Sequence, residues 1–268
     1  MEKSKILYIS QEIAPYLPES DMSMIMRYLP QTIQEKGKEI RTFMPRFGVI
    51  NERRHHLHEV IRLSGMNIII NDTDHPLIIK VASIQQARLQ VYFIDNEEYF
   101  HRKNTVFDND GIYFDDNGER ILFFAKGVIE TIKKLRWAPT IVHCHGWFSA
   151  LAPLLIKKLM NDDPLFANSK IIFSVYNDEF TGELEKKIKQ KIKILGISEK
   201  DVKILDTPNY ENLMKLVINM SDGFIKGSEK INENLAELIY KSKKPFLDYR
   251  ERMNNNNFDD IIKFYNSF

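Results

Sequence analysis

Glycine is scarce in this chain, with 11 residues among 268, against roughly 7% in average proteins. Neither the Gly-x-Gly-x-x-Gly pattern of dinucleotide-binding folds nor the Gly-x-x-x-x-Gly-Lys-Ser/Thr pattern of P-loops occurs. Both patterns need glycine because backbone N–H groups must approach a phosphate closely. Their absence argues against a P-loop NTPase and against a dinucleotide fold with the usual fingerprint.

Cysteine occurs once, as Cys144, and we expect it to be buried in a strand. A single thiol excludes a disulfide framework and a cysteine-rich zinc site. His143 and His145 flank it and share one face of the strand, an arrangement that also occurs in metal sites. A third ligand at a usable spacing is lacking. We therefore favour two hydrogen-bonded histidines and predict neither a metal nor a cofactor.

An excess of either charge is lacking as well, since 38 Lys and Arg oppose 37 Asp and Glu, for a net charge of +1. No bulk field attracts nucleic acid or a membrane, and we predict neither as a partner. The only dense block of lysines lies at 186–193, and we interpret it as the solvated face of a helix rather than as a surface for RNA, anionic lipid or an acidic partner. The apolar stripe of that helix is Leu184, Ile188, Ile192 and Leu195.

Long apolar runs are lacking too. The stretch from Ile6 to Ile9 is too short for the core of a signal peptide, and no run approaches the roughly 18 residues of a membrane span. We therefore expect a cytoplasmic protein. A polar loop contains His55, His56 and His58, for which we expect a solvated surface.

Short apolar runs and amphipathic stretches alternate along the chain. This alternation predicts an α/β fold built on a single Rossmann-like, doubly wound parallel sheet. We predict a domain over residues 1–253, followed over 254–268 by an Asn-rich linker and a short helix. The predicted strands are 5–10, 39–44, 66–70, 77–84, 88–94, 140–143, 170–175 and 224–226, and the predicted helices are 22–36, 121–132, 148–160, 183–195, 209–221, 229–240 and 259–264.

Ligands of an open parallel sheet bind beyond the carboxyl ends of its strands. Three loops follow predicted strands, at 11–21, 143–149 and 176–182. We expect a ligand site where these loops meet.

Several segments resemble ADP-glucose-dependent glycogen and starch synthases. The clearest are Lys5-Ile-Leu-Tyr-Ile-Ser-Gln-Glu-Ile-Ala-Pro15, Arg41-Thr-Phe-Met-Pro-Arg-Phe-Gly48 and Trp137-Ala-Pro-Thr-Ile-Val-His-Cys-His-Gly-Trp147. The resemblance implies the N-terminal half of a GT-B glycosyltransferase. Family members transfer glucose from ADP-glucose to an α-1,4-glucan, and the N-terminal domain mostly holds the glucan acceptor. The chain is about half the family's length, so we expect no counterpart of the domain that binds most of the nucleotide.

The resemblance also shows departures at the family's site. The family's Lys-x-Gly-Gly-Leu loop falls on 18–22, where a proline replaces the lysine and Asp21 replaces the second glycine. An aspartate there would repel a diphosphate. The family's His-Asp-Trp aspartate falls on Gly146. The residues that we interpret as remnants of the family's substrate site, none of them catalytic, are Glu12, Ser20, Asp21, His143, His145, Trp147, Tyr176 and Asn177.

Trp147 and Tyr176 allow two interpretations, either stacking on a sugar ring or partial burial at a helix start. For the whole chain we predict a member of the glycogen/starch synthase family that is not catalytic by itself. The partners that this implies are an α-glucan or a nucleotide sugar. Alternatives are a scaffold that binds a protein partner or a second copy through its cleft face, an α-glucan-binding remnant, and a half-enzyme completed by a separate chain.

Overall fold

A computed structural model describes residues 4–252 and 256–268. The strands are β1 (Lys5–Ser10), β2 (Glu39–Pro45), β3 (His58–Glu59), β4 (Met66–Ile70), β5 (Thr73–Ile84), β6 (Leu89–Asp95), β7 (Ile141–His145), β8 (Lys170–Val175), β9 (Gly223–Lys226) and β10 (Phe246–Leu247). The helices are α1 (Asp21–Glu35), α2 (Glu97–Phe100), α3 (Asn117–Leu135), α4 (Leu151–Leu159), α5 (Ile188–Ile194), α6 (Glu199–Val202), α7 (Tyr210–Met220), α8 (Glu233–Lys241) and α9 (Asp259–Tyr265). Among these described helices, none is long and apolar enough to cross a lipid bilayer.

The central sheet has the strand order β10-β9-β8-β7-β1-β2-β6-β5-β3, and β4 pairs with β5. The pairs from β10 to β6 are parallel. The predicted α/β fold with a doubly wound, mostly parallel sheet is therefore confirmed. The edge beyond β6 differs from the prediction, because β5 runs antiparallel to β6 and to β3. A turn of four residues, 85–88, joins β5 to β6, and so short a connection cannot join parallel strands.

The strand predicted at 77–84 begins earlier, at Thr73, because β4 and β5 form a hairpin. Asn71 and Asp72 form its turn with φ angles of 50° and 62°. Two successive residues at positive φ match the right-handed twist of a hairpin. Asn and Asp tolerate positive φ better than most residues, so this pair is the sequence signal of the turn.

The helix predicted at 183–195 is shorter, because only Ile188–Ile194 is helical. Glu183 instead forms a β-bridge with Asn209, and the Leu184 N–H donates to the Pro208 carbonyl. The predicted solvated lysine face is also largely paired with carboxylates. Lys189 pairs with Glu199 and Asp206, Lys191 with Glu119 and Glu185, and Lys193 with Glu199.

Successive side chains of β7 point to opposite faces of the sheet. His143 and His145 point to the face that α9 covers, because the Tyr265 hydroxyl of α9 is hydrogen-bonded to His143. Cys144 points to the opposite face and is buried, as expected. Among the helices, α4 packs against both α3 and α7.

The C-terminal helix packs against the same hydrophobic core as the sheet, through the buried side chains of Phe258, Ile261 and Tyr265. Gly223 of β9 leaves room for this helix and the residues after it, since a Cβ there would lie 3.1 Å from a ring carbon of Phe264 and 2.5 Å from one of Phe268. The Asn-rich run lies partly outside the described residues, and the division of the chain at residue 253 stays a prediction.

Candidate functional site

The three loops that follow β1, β7 and β8 meet around a cavity of about 490 Å³, as the fold class predicts. We call it the strand-end cavity. A hairpin formed by the Phe107–Tyr113 bridge closes one side. Six of the eight predicted site residues line the cavity, and they are Glu12, Ser20, Asp21, Trp147, Tyr176 and Asn177.

Ser20 and Glu12 are joined directly in the cavity wall. The Ser20 hydroxyl donates to Glu12 Oε2 at 2.6 Å and accepts the Ser23 N–H at 3.0 Å. The Ser23 hydroxyl accepts the Ser20 N–H at 2.8 Å, so the pair forms a capping box for α1. Burial raises the pKa of Glu12, and the bond from Ser20 opposes that shift. The segment on which the family's Lys-x-Gly-Gly-Leu loop falls is thus a helix cap tied to a carboxyl group.

Asp21 is exposed and begins α1. An acidic residue in the first turn is favourable, since it faces the positive end of the helix dipole. Its position in the cavity wall next to Glu12 adds a second carboxylate rather than a group that would hold a phosphate.

Trp147 and Tyr176 are almost fully buried, with 2% and 3% of their surfaces exposed. The Trp147 ring packs against Phe180 at a centroid distance of 4.8 Å and against Tyr113 at 6.5 Å. Tyr176 lies against Gly227, where a Cβ would approach its ring to 2.3 Å. Of the two interpretations, burial describes both side chains, and the exposed ring surface at the cavity belongs to Tyr113 and Phe107.

His143 and His145 lie beneath the cavity and are fully buried. His143 is hydrogen-bonded to the Tyr265 and Ser174 hydroxyl groups at 2.6 and 2.8 Å, and His145 Nδ1 to the Tyr176 hydroxyl at 2.8 Å. Burial lowers the pKa of both imidazoles, that of His145 to about 3. The structure therefore places both as neutral supports of the cavity floor and not in its lining. Within residues 4–252 and 256–268, no group of three metal-ligating side chains occurs.

Asp178 is the main cavity residue that sequence reasoning missed. Its carboxyl group accepts the Trp147 N–H at 2.9 Å and the Tyr210 hydroxyl at 3.1 Å. Burial raises the pKa of this carboxyl to about 7, against the opposing effect of the Trp147 N–H. The only available signal was its place in the loop after β8. Glu179 lies beside it in the same wall.

Gly146 occupies the position where the resemblance places the family's aspartate. Its φ of 77° and ψ of 159° are almost exclusive to glycine. A Cβ there would lie 2.4 Å from the terminal methyl of Met22 and 3.0 Å from an Asp178 oxygen. The backbone and its neighbours therefore leave no room for a side chain at this point of the wall.

Comparison with known proteins agrees with this architecture. The family model described as the starch synthase catalytic domain matches residues 5–243, and the chain belongs to that family. Glycogen synthase from Chlorobium limicola is 37% identical over 189 residues, covering 70% of this chain and 39% of the relative. Glycogen synthase from Chlorobium chlorochromatii is 39% identical over 175 residues, covering 65% and 36%. The chain thus spans less than half the length of these curated relatives.

A solved structure supports the fold. The catalytic domain of starch synthase IV from Arabidopsis thaliana, bound to ADP and acarbose, has a TM-score of 0.70 to this chain. The similarity covers 92% of this chain and 51% of that one, at 17% sequence identity. At this identity the likeness establishes the fold and not the ligands.

Proposed function

We propose that the strand-end cavity binds a neutral α-glucan and that the chain does not itself transfer glucose from a nucleotide sugar. The observation that carries this proposal is the charge of the lining. No Lys or Arg occurs among the described lining residues, whereas four carboxyl groups do, those of Glu12, Asp21, Asp178 and Glu179. A leaving diphosphate needs positive charge around it, and these carboxylates oppose its binding.

The same lining suits sugar hydroxyl groups. The exposed Asn177 amide can both donate and accept hydrogen bonds. Burial raises the pKa of Glu12, and it raises the pKa of Asp178 to about 7, so the Asp178 carboxyl can act as donor or acceptor near neutral pH. Rings of Tyr113 and Phe107 offer apolar surface for a pyranose face.

The relatives give this proposal its ligand class. Their name, glycogen synthase, refers to an enzyme of glucan synthesis, and the resemblance implies that the N-terminal domain mostly holds the acceptor. The proposal therefore assigns binding of the glucan acceptor to this chain and does not assign binding of the nucleotide-sugar donor.

Calorimetric titration with maltoheptaose, and separately with ADP-glucose, tests the proposal. We expect heat from maltoheptaose only. Tyr113→Ala and Asn177→Ala should each weaken binding at least about tenfold, equivalent to about 1.4 kcal/mol. Tyr240→Ala is the matched control, since Tyr240 is 59% exposed and lies outside the lining. Trp147 is unsuitable for this test because truncation of a buried ring opens the core.

Each other outcome contradicts a defined part of the proposal. Binding of ADP-glucose would show that the carboxylates do not exclude a diphosphate. Glucosyl transfer by the purified chain, abolished by Asn177→Ala, would show that it is catalytic. No heat from either ligand would remove the glucan site.

A second candidate function is protein binding at the cavity rim, as part of a scaffold or a homo-oligomer. Two apolar side chains of the rim hairpin are exposed, Phe107 at 42% and Ile112 at 63%. Light scattering of the chain and of Phe107→Ser/Ile112→Ser tests self-association. A monomer that captures no partner from a lysate would argue against this function.

A further inference from the structure

A second cavity, of about 480 Å³, lies away from the strand-end cavity and shares no lining residue with it. Its walls come from the loop after β1, from α1, from the loop after β2 and from the turn between β5 and β6. We call it the arginine cavity. The side chains that matter for its chemistry are Tyr16, Arg27, Arg54, His55, His56 and Gln86.

The charge of this cavity is opposite to that of the strand-end cavity. Arg27 and Arg54 line it, and none of its described lining residues is an Asp or a Glu. Neither arginine forms an ion pair with a carboxylate of residues 4–252 or 256–268. Arg27 donates instead to the neutral Gln31 amide at 3.0 Å. Two guanidinium groups without a counter-charge favour an anion.

The wall also contains a polar group without a partner. Tyr16 is 5% exposed, and within the described part of the chain its hydroxyl has no hydrogen-bond partner. The ring is held by Phe93 at 4.9 Å and by His55 at 5.1 Å. Burial raises the pKa of this phenol, while the nearby Arg27 charge opposes the shift. An unpaired buried hydroxyl is rare in proteins and needs an explanation.

We propose that the arginine cavity binds a phosphomonoester through Arg27 and Arg54, with the Tyr16 hydroxyl as an additional donor. A guanidinium presents a planar fork of N–H donors that matches phosphate oxygens. The neutral side of the cavity, formed by Ser83, Gln85 and Gln86, leaves hydrogen-bonding room for the rest of the ester.

Phosphate binding is linked to the protonation of His55. The charged and titratable groups facing His55 are Arg27 from α1, Arg54 and His56 from its own loop, and Tyr16, whereas residues 83–86 contribute none. Burial and the neighbouring positive charges lower the pKa of His55. A bound dianion opposes that shift, so binding of the dianion and protonation of His55 favour each other.

Ribose 5-phosphate, ribose and inorganic phosphate are the probes for a titration of the chain. We expect ribose 5-phosphate to bind and ribose not to bind. Equal affinity for inorganic phosphate would assign recognition to the phosphate alone, whereas weaker binding would assign part of it to the ester body. Both outcomes support the phosphate site, and no binding of either phosphate would overturn it.

Variants locate the binding. Arg27→Gln and Arg54→Gln should each reduce affinity about tenfold or more, and Tyr16→Phe should reduce it while keeping the ring in place. Arg53→Gln is the control, because Arg53 is exposed in the same loop but outside the wall. Equal losses in Arg53→Gln and Arg54→Gln would overturn the assignment. Maltoheptaose binding should be unchanged in all four variants. A failure of the phosphate proposal can therefore be distinguished from a failure of the glucan proposal.

Discussion

The Asp178 carboxyl group is a titrating element inside the folded structure. Its pKa is raised by burial to about 7, from an ordinary value of 3.8. Between these two values the folded state keeps a proton that the unfolded state has lost. The free energy of unfolding therefore falls as the pH rises through this range, because the unfolded state binds fewer protons.

We predict that Asp178→Asn removes this loss. The amide oxygen of the Asn can accept the Trp147 N–H in place of Oδ2, its NH2 group can donate to the Tyr210 hydroxyl in place of Oδ1, and the amide does not ionise. The variant should be more stable than the parent at pH 8 by about 1–4 kcal/mol, since a shift of one pKa unit is worth about 1.4 kcal/mol. Urea unfolding across a pH series measures the difference. Asp162→Asn, at an exposed residue outside the cavities, is the control, and parallel pH curves for the parent and Asp178→Asn would contradict the prediction.

Gly146 leads to a second residue-level prediction. Gly146→Ala should lower stability by about 2–5 kcal/mol, because backbone strain adds to overlap with Met22. Gly182→Ala isolates the backbone contribution, since its φ is 82° and its Cβ would meet no atom within 4 Å. That control should lose only about 1–2 kcal/mol. Thermal unfolding of both variants measures the two losses of stability. Equal losses in Gly146→Ala and Gly182→Ala would show that contact with Met22 is unimportant.

The sequence indicated many of the residues that line the strand-end cavity, but it did not indicate their protonation behaviour or their partners. Glu12 and Asn177 were found because they follow strands in segments that resemble a known family. The pKa of Asp178 is raised by burial, while the hydrogen bonds from Trp147 and Tyr210, two residues distant in sequence, oppose the shift. Local patterns do not report such burial. The same applies to Tyr113, which reaches the cavity from a separate hairpin.

At the scale of elements, α9 is joined to the sheet by polar as well as apolar contacts. The Tyr265 hydroxyl is hydrogen-bonded to His143 at 2.6 Å and donates to the Tyr8 hydroxyl at 3.3 Å. We predict that Tyr265→Phe costs about 1–3 kcal/mol, because two buried polar groups lose a partner. Urea unfolding measures it. Tyr240→Phe, at a residue 59% exposed, should change stability by less than about 0.5 kcal/mol, and a similar effect of both variants would contradict the prediction.

Elements with strong apolar periodicity were predicted well, and those fixed by distant partners were not. The repeat that predicted a helix over 121–132 lies inside α3, which extends further at both ends, from Asn117 to Leu135. Residues 183–187 have an equally helical pattern, but Leu184 is held by the Pro208 carbonyl. A tertiary backbone bond therefore replaced the helix that local preference favoured.

At the scale of the whole molecule, one continuous core joins both ends of the chain. Buried residues of one cluster extend from Ile6 in β1 to Tyr265 in α9. We predict that the described part of the chain unfolds in one cooperative step. The two tryptophans report on opposite ends of the parallel strands, since Trp137 donates to Glu39 at the start of β2 and Trp147 follows the end of β7. Trp137→Phe and Trp147→Phe should therefore show fluorescence midpoints that each coincide with their own circular dichroism midpoint.

Fluorescence and circular dichroism midpoints that differ within either variant would show that the two ends of the strands unfold separately. The order of strands itself was only partly predictable. Alternation of strands and helices indicates parallel pairing, and it holds from β10 to β6. The antiparallel edge depends on the short turn that ends at Arg88 with a φ of 49°. Direction of pairing is thus decided by a few turn residues that composition does not distinguish.

The contact between Gly146 and Met22 also limits the order in which mutations can accumulate. At Gly146 a new side chain would overlap the methionine methyl at 2.4 Å, so an aspartate introduced first meets a steric penalty. Replacing Met22 by the shorter leucine of the family pattern removes that methyl and makes the second change less costly. Restoring the family's residues at both positions therefore costs less stability when Met22 is replaced before Gly146 than in the opposite order.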